Sequence, residues 1–187
     1  MSKAVDSQWK KLLVTPGEVL DKIRPGMNIF LGGGSAEPRT LMKCLMESDQ
    51  SNARDLELIQ LGTHGDILSL KELQYQNYRL KTLFSGWVAG ETATSQNVDL
   101  VPGRYSRIPR IIKSKRIPID AAFIQITPPN ESGYCSLGVA VDVAREAMEQ
   151  ASLVVGEINP LTPFTFGDTI VSISDFDLLV ESTQKPA

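Results

Sequence analysis

Two short apolar runs with one amphipathic helix between them constrain this chain most. Asp120-Ala121-Ala122-Phe123-Ile124-Gln125-Ile126 and Leu153-Val154-Val155-Gly156-Glu157-Ile158 both read as buried strands. Between them, Val143, Ala144, Ala147, Met148 and Ala151 recur at helical spacing. Parallel strands need a crossover, and a helix here supplies one. The segment is a strand–helix–strand unit, which belongs in a mainly parallel sheet.

The rest of the chain repeats the pattern. Thr15-Pro16-Gly17-Glu18 carries a capping residue, a proline at the first helical position and the glutamate of a capping box. That helix ends at Arg24-Pro25-Gly26. A strand follows at 27–31 and a turn at 32–35. Pro38 opens a helix with Leu41, Met42, Leu45 and Met46 on one face. Further strands are expected at 56–61 and 80–84, helices at 91–96 and 108–113, and short extended pieces at 134–137, 169–173 and 178–180. The expected fold is α/β, a mainly parallel sheet with helices on both faces. Ligands of such sheets bind beyond the carboxyl ends of the strands, so the strand-end loops are the place to look for function.

With 187 residues, 42% of them apolar, and no linker or repeat, one domain over 1–187 is expected. The polar stretch 182–187 reads as a tail or a cut linker. Nineteen basic against 22 acidic residues give a net charge of -3, which argues against a general nucleic-acid binder. Cys44 and Cys135 match neither a zinc nor a redox spacing and read as small buried hydrophobes. One histidine, His64, excludes a His-rich metal site, and no metal is expected. His64 lies in a strand-end loop where Asp66 could orient it. No Gly-x-Ser-x-Gly elbow is present for a hydrolase triad. No secretory signal and no membrane-length apolar stretch is visible, so a cytoplasmic location is expected.

Three features can carry chemistry. Gly32-Gly33-Gly34-Ser35-Ala36-Glu37-Pro38 lets a ligand approach the backbone beside a helix N-terminus, where oxyanions are stabilised; a tight turn without a ligand is the alternative. It is neither G-x-G-x-x-G nor a Walker loop. Glu157-Ile158-Asn159-Pro160 ends a strand in a rigid loop, with Glu157 as a base or nucleophile, or with Asn159 holding the loop by side-chain hydrogen bonds. Arg104, Arg107, Arg110 and Lys113 recur at i+3 in a run free of acids, as an anion-binding face or a solvated one.

Together these residues resemble the acetyl-CoA hydrolase/transferase family, which includes 4-hydroxybutyrate and succinyl-CoA:acetate CoA-transferases. The matching segments are Gly33 to Pro38, Val101-Pro102 with Ile108-Pro109-Arg110, and the 120–129 stretch. The most specific is Gly133-Tyr134-Cys135-Ser136-Leu137-Gly138-Val139 with Val141-Asp142. It continues into Glu157-Ile158-Asn159-Pro160, Pro163, Gly167-Asp168, and Ile173-Ser174-Asp175-Phe176-Asp177 with Val180-Glu181.

The resemblance implies a CoA-transferase fold, related to sugar-phosphate isomerases, of which this chain is the N-terminal domain. It implies ping-pong chemistry, with a coenzyme A thioester as substrate, a glutamyl anhydride and a glutamyl thioester as intermediates, and no permanently bound cofactor. The catalytic glutamate belongs to a second domain absent from this chain. Neither Glu157 nor Glu131 is then the nucleophile, and the chain alone is expected to be inactive. Its implied partners are an acyl-CoA, a small carboxylic acid and the C-terminal domain, with homo-oligomerisation left open and no nucleic acid or membrane. Gly32, Gly33, Gly34, Ser35 and Glu37 are expected at the oxyanion and substrate, and Glu157, Asn159 and Pro160 in the pocket loop. The alternative is a non-catalytic CoA- or acyl-binding module fused to or assembled with another protein.

Overall fold

A computed structural model describes residues 9–49, 52–62, 78–83, 97–182 and 184–186. Its centre is a seven-stranded sheet in which every pairing is parallel. The strands are β1 (Asn28–Leu31), β2 (Glu57–Gln60), β3 (Arg79–Thr82), β4 (Val98–Leu100), β5 (Ala121–Ile126), β7 (Leu153–Ile158) and β9 (Leu178–Glu181), in the spatial order β4-β3-β2-β1-β5-β7-β9. β6 (Tyr134–Ser136) and β8 (Ile170–Ser172) form a separate antiparallel ribbon. The extended pieces expected at 134–137 and 169–173 are the two strands of that ribbon.

The strand order explains the layers. From β1 the chain adds strands outward to β4, then returns to place β5 on the other side of β1. Crossovers are almost always right-handed, so reversing the direction of addition moves the connecting helices to the opposite face. Two core clusters show this. On one face α1 (Pro16–Leu20) and α2 (Arg39–Met46) bring Val19, Leu20, Leu41, Met42 and Leu45 onto Ile29, Leu31, Leu58, Phe123 and Val155. On the other, α3 (Ile108–Lys113) and α4 (Ala144–Gln150) bring Ile108, Ile112, Ala144 and Ala147 onto Phe30, Ile59, Ala122, Ile124 and Val154. The six side chains of β5 are buried without exception, as befits a central strand covered on both faces, with Gln125 its one polar member.

Aspartates fix the register at the amino ends of the strands. Asp120 Oδ2 accepts from both the backbone and side-chain nitrogens of Asn28, each at 2.8 Å, which aligns β5 with β1. Asp177 Oδ2 accepts from the Val154 amide at 2.7 Å, which aligns β9 with β7. A one-residue slip would turn each strand inside out, so these contacts also set where the carboxyl ends stand.

The capping box expected at Thr15 is present, with Thr15 N donating to Glu18 Oε2 at 2.8 Å and Glu18 N donating to Thr15 Oγ1 at 3.3 Å. The expected helix at 91–96, Phe84 at the end of the third strand, and His64 with Asp66 all lie outside the described residues.

Candidate functional site

The point where the strand order reverses lies between β1 and β5, and a crevice beyond the carboxyl ends of the strands forms at such a point. The glycine loop leaves β1 there. Its residues have structural reasons to be glycine. A Cβ on Gly33 would stand 2.8 Å from Gly62 O and 3.1 Å from Asp142 Oδ2. Gly34 sits at φ 57, the left-handed region.

The loop does not run straight into a helix. A 3-10 turn, Gly34–Ala36, and Pro38 intervene before α2 begins at Arg39. The helix N-terminus is already occupied. Glu157 Oε1 accepts from Thr40 N at 3.1 Å and from Ser182 Oγ at 2.7 Å, and Glu157 Oε2 accepts from Leu41 N at 3.0 Å. The Glu157 carboxylate is thus the anion that this helix end holds. It is buried within β7 rather than placed in the loop that follows.

The loop amides divide. Gly32 N donates to Phe123 O at 3.1 Å and Gly34 N to Gly62 O at 3.0 Å. The amides of Gly33 and Ser35 hold no hydrogen bond among the described residues.

Beneath the loop lies a set of buried polar side chains that the sequence reading only partly anticipated. Gln60, at the end of β2, donates through Nε2 to Gly32 O at 3.2 Å and to Glu37 Oε1 at 3.4 Å. Gln125, in β5, donates through Nε2 to Ser35 O at 3.0 Å. Its Oε1 accepts from Asn159 Nδ2 at 2.8 Å. Asn159 Oδ1 accepts from Leu161 N at 3.0 Å, which fixes the amide's orientation and holds the turn carrying Pro160. Gln60 and Gln125 were missed. The signal available was a single amide interrupting an otherwise apolar buried strand, which needs an internal partner.

The basic run is split. Tyr105–Arg107 is a 3-10 turn and α3 starts at Ile108, so no continuous helical face joins Arg104, Arg107 and Arg110. All three arginines are exposed. Lys113 Nζ lies 3.6 Å from Glu146 and 3.9 Å from Glu149, so the far end of the run is neutralised by α4. The near end is tied to the glycine loop. Tyr105 Oη donates to Asp142 Oδ1 at 2.5 Å, and Asp142, at φ 47, is the residue whose Oδ2 faces Gly33. Burial and the Asp142 carboxylate push the Tyr105 hydroxyl up to about 12, so it remains a donor at neutral pH.

Hydroxyls lock the next two loops together. Ser136 Oγ accepts from Gly138 N at 3.1 Å and Thr165 N at 3.0 Å, and Thr165 Oγ1 donates to Gly138 O at 2.6 Å. These loops expose Val139, Leu161 and Phe166 at 62%, 61% and 83%. Phe164 packs on Phe166 with ring centroids 5.4 Å apart.

Of the two cysteines, Cys135 is buried and Cys44 half-buried. Burial, with Asp175 nearby, pushes the Cys135 thiol up to about 12. Among the described residues no helix is long and apolar enough to cross a membrane.

The family model of the acetyl-CoA hydrolase/transferase N-terminal domain matches residues 1–187. The chain belongs to the acetyl-CoA hydrolase/transferase family. It is 32% identical over 175 residues to 4-hydroxybutyrate coenzyme A transferase of Clostridium kluyveri, covering 94% of this chain and 41% of that protein. It is 32% identical over 168 residues to a succinyl-CoA:acetate/propanoyl-CoA:succinate CoA transferase of Fasciola hepatica, covering 89% and 35%. Among solved structures, RipA from Yersinia pestis superposes with a TM-score of 0.82 at 25% identity, covering 95% of this chain and 44% of that one. The 4-hydroxybutyrate CoA-transferase of Porphyromonas gingivalis shares the fold, with a TM-score of 0.74 at 23% identity, covering 97% and 42%. The chain therefore spans well under half the length of these acetyl-CoA hydrolase/transferase family relatives.

Proposed function

We propose that this domain forms one wall of an acyl and carboxylate pocket in an acyl-CoA:carboxylate CoA-transferase or acetyl-CoA hydrolase, closed by a second domain that bears the nucleophilic glutamate. The observation that carries this is the exposure of Val139, Leu161 and Phe166 on two loops joined by hydrogen bonds, the first of which reaches the glycine loop through Asp142. A surface of that kind beside a strand-end crevice suits a domain interface. The similar CoA transferases are more than twice as long as the stretch they share with this chain, which leaves room for such a domain.

In this reading the glycine loop steadies the thioester oxyanion, with Gly33 and Ser35 as the amides not engaged elsewhere. Gln60, Gln125 and Glu37 hold the loop from beneath. Arg104, Arg107 and Arg110 attract the phosphates of coenzyme A from solution. The substrates are an acyl-CoA and a small carboxylic acid, no permanent cofactor is required, and the compartment is the cytoplasm.

Calorimetric titration of the chain with coenzyme A tests the arginine role. Charge reversal at Arg104 and Arg107 is expected to weaken binding several-fold at low salt, and an unchanged affinity removes that role. The two-domain reading is tested by whether the 187-residue chain alone turns over.

A further inference from the structure

Asn159 Nδ2 donates in two directions, to Gln125 Oε1 at 2.8 Å and to Gln184 O at 3.2 Å. Gln125 in turn donates to Ser35 O. A continuous line of hydrogen bonds thus runs from the segment after β9, through two side-chain amides, to the glycine loop. Both amides use donor and acceptor in consistent polarity, with the Asn159 orientation set by Leu161 N. Both are buried.

We propose that Gln125 and Asn159 are positioning residues that couple the segment leaving β9 to the conformation of the glycine loop. That segment is where the chain would continue into a second domain, so seating of that domain would be felt at Ser35. This functional consequence rests on the reading above, whereas the coupling itself is a property of the 187-residue chain. Fully satisfied buried polar networks are stiff, and a change at one end alters the strength of the next bond. A second route also exists. Ser182 Oγ reaches Glu157, which caps α2 just after the loop. The test has to separate the two.

Amide hydrogen exchange in a double-mutant cycle does so. Ser182→Ala removes the hydroxyl to which the Gln184 amide donates at 3.3 Å. It is expected to raise exchange at Ala36 and Glu37, whose amides donate to Gly33 O and Gly34 O, about fivefold, the effect of one ordinary hydrogen bond. Ser182→Thr keeps the hydroxyl and is expected to restore protection. In a Gln125→Met background, Ser182→Ala is expected to add nothing further at Ala36. The same increment in both backgrounds would show that coupling runs through Glu157 and would overturn the proposal, as would a loop that does not respond at all. If Gln125→Met does not fold, Asn159→Ser cuts the line at its next link and gives the same comparison. No arm of this cycle involves coenzyme A, so its failure leaves the transferase reading standing.

Discussion

Glu157 reaches out of β7 to the first turn of α2, with its Oε1 3.1 Å from Thr40 N. One buried carboxylate thereby joins a central strand, a helix N-terminus and, through Ser182, the segment after the last strand. Glu157→Ala would strand these donors and is expected to cost about 3 kcal/mol. Glu157→Gln keeps one acceptor oxygen and is expected to cost about 1–2 kcal/mol. Urea unfolding measures both. Equal stability of all three proteins would remove the capping role.

Gly33→Ala places a methyl group 2.8 Å from Gly62 O, a contact with backbone that has nowhere to retreat. The expected loss is about 1–3 kcal/mol. Gly17→Ala is the control, since its nearest neighbour would be 4.0 Å away. It lies near the start of α1, where alanine is the better helix former, and is expected to be neutral or slightly stabilising. Thermal melts of the two variants should separate clearly.

Tyr78 is fully buried and donates to Ala53 O at 2.7 Å. Burial lifts its hydroxyl from the usual 10.0 to about 12. Its folded-state value lies above the unfolded one, so its contribution is complete below pH 10 and is lost as pH rises through about 12. Stability measured by urea midpoint should therefore fall above pH 10, and Tyr78→Phe should flatten that fall while costing about 1 kcal/mol at neutral pH. An unchanged alkaline slope in Tyr78→Phe would assign the fall to other groups, with Tyr105 and Cys135 next in line.

Leu161→Ser and Phe166→Ser remove apolar surface that is mostly exposed in this domain. Melting of the 187-residue chain should shift by less than about 0.5 kcal/mol equivalent. In a two-domain protein of the proposed kind the same changes should lower transferase activity and loosen domain association. A large loss of stability in the single domain would show that these side chains serve its own core.

What could be read from the sequence follows from how local each signal is. β5, α4 and β7 announce themselves because every side chain in the strands is apolar or internally paired, and the helix repeats on one face. β4 was not anticipated: Val98–Leu100 is three residues long, none of them is buried, and it is an edge strand known only by its pairing to β3. The β6–β8 ribbon depends on residues more than thirty positions apart finding each other, which no local pattern encodes. At the site, the glycine loop was legible because glycine declares backbone approach. Its supports were not. Gln60 and Gln125 stand one on each side of β1, and only the strand order brings them under the same loop. Glu157 was legible as a carboxylate near a strand end, but its role as a helix cap depends on α2 crossing to meet it.

The most direct measurement is CoA transfer from an acyl-CoA to a carboxylate, assayed with the 187-residue chain alone and with a longer protein in which a C-terminal CoA-transferase domain follows it. The prediction is no turnover from the chain alone and ordinary enzymatic turnover, roughly 1–1,000 per second, from the longer protein. Transfer at ordinary rates by the 187-residue chain would contradict the claim that it forms one wall of a shared active site.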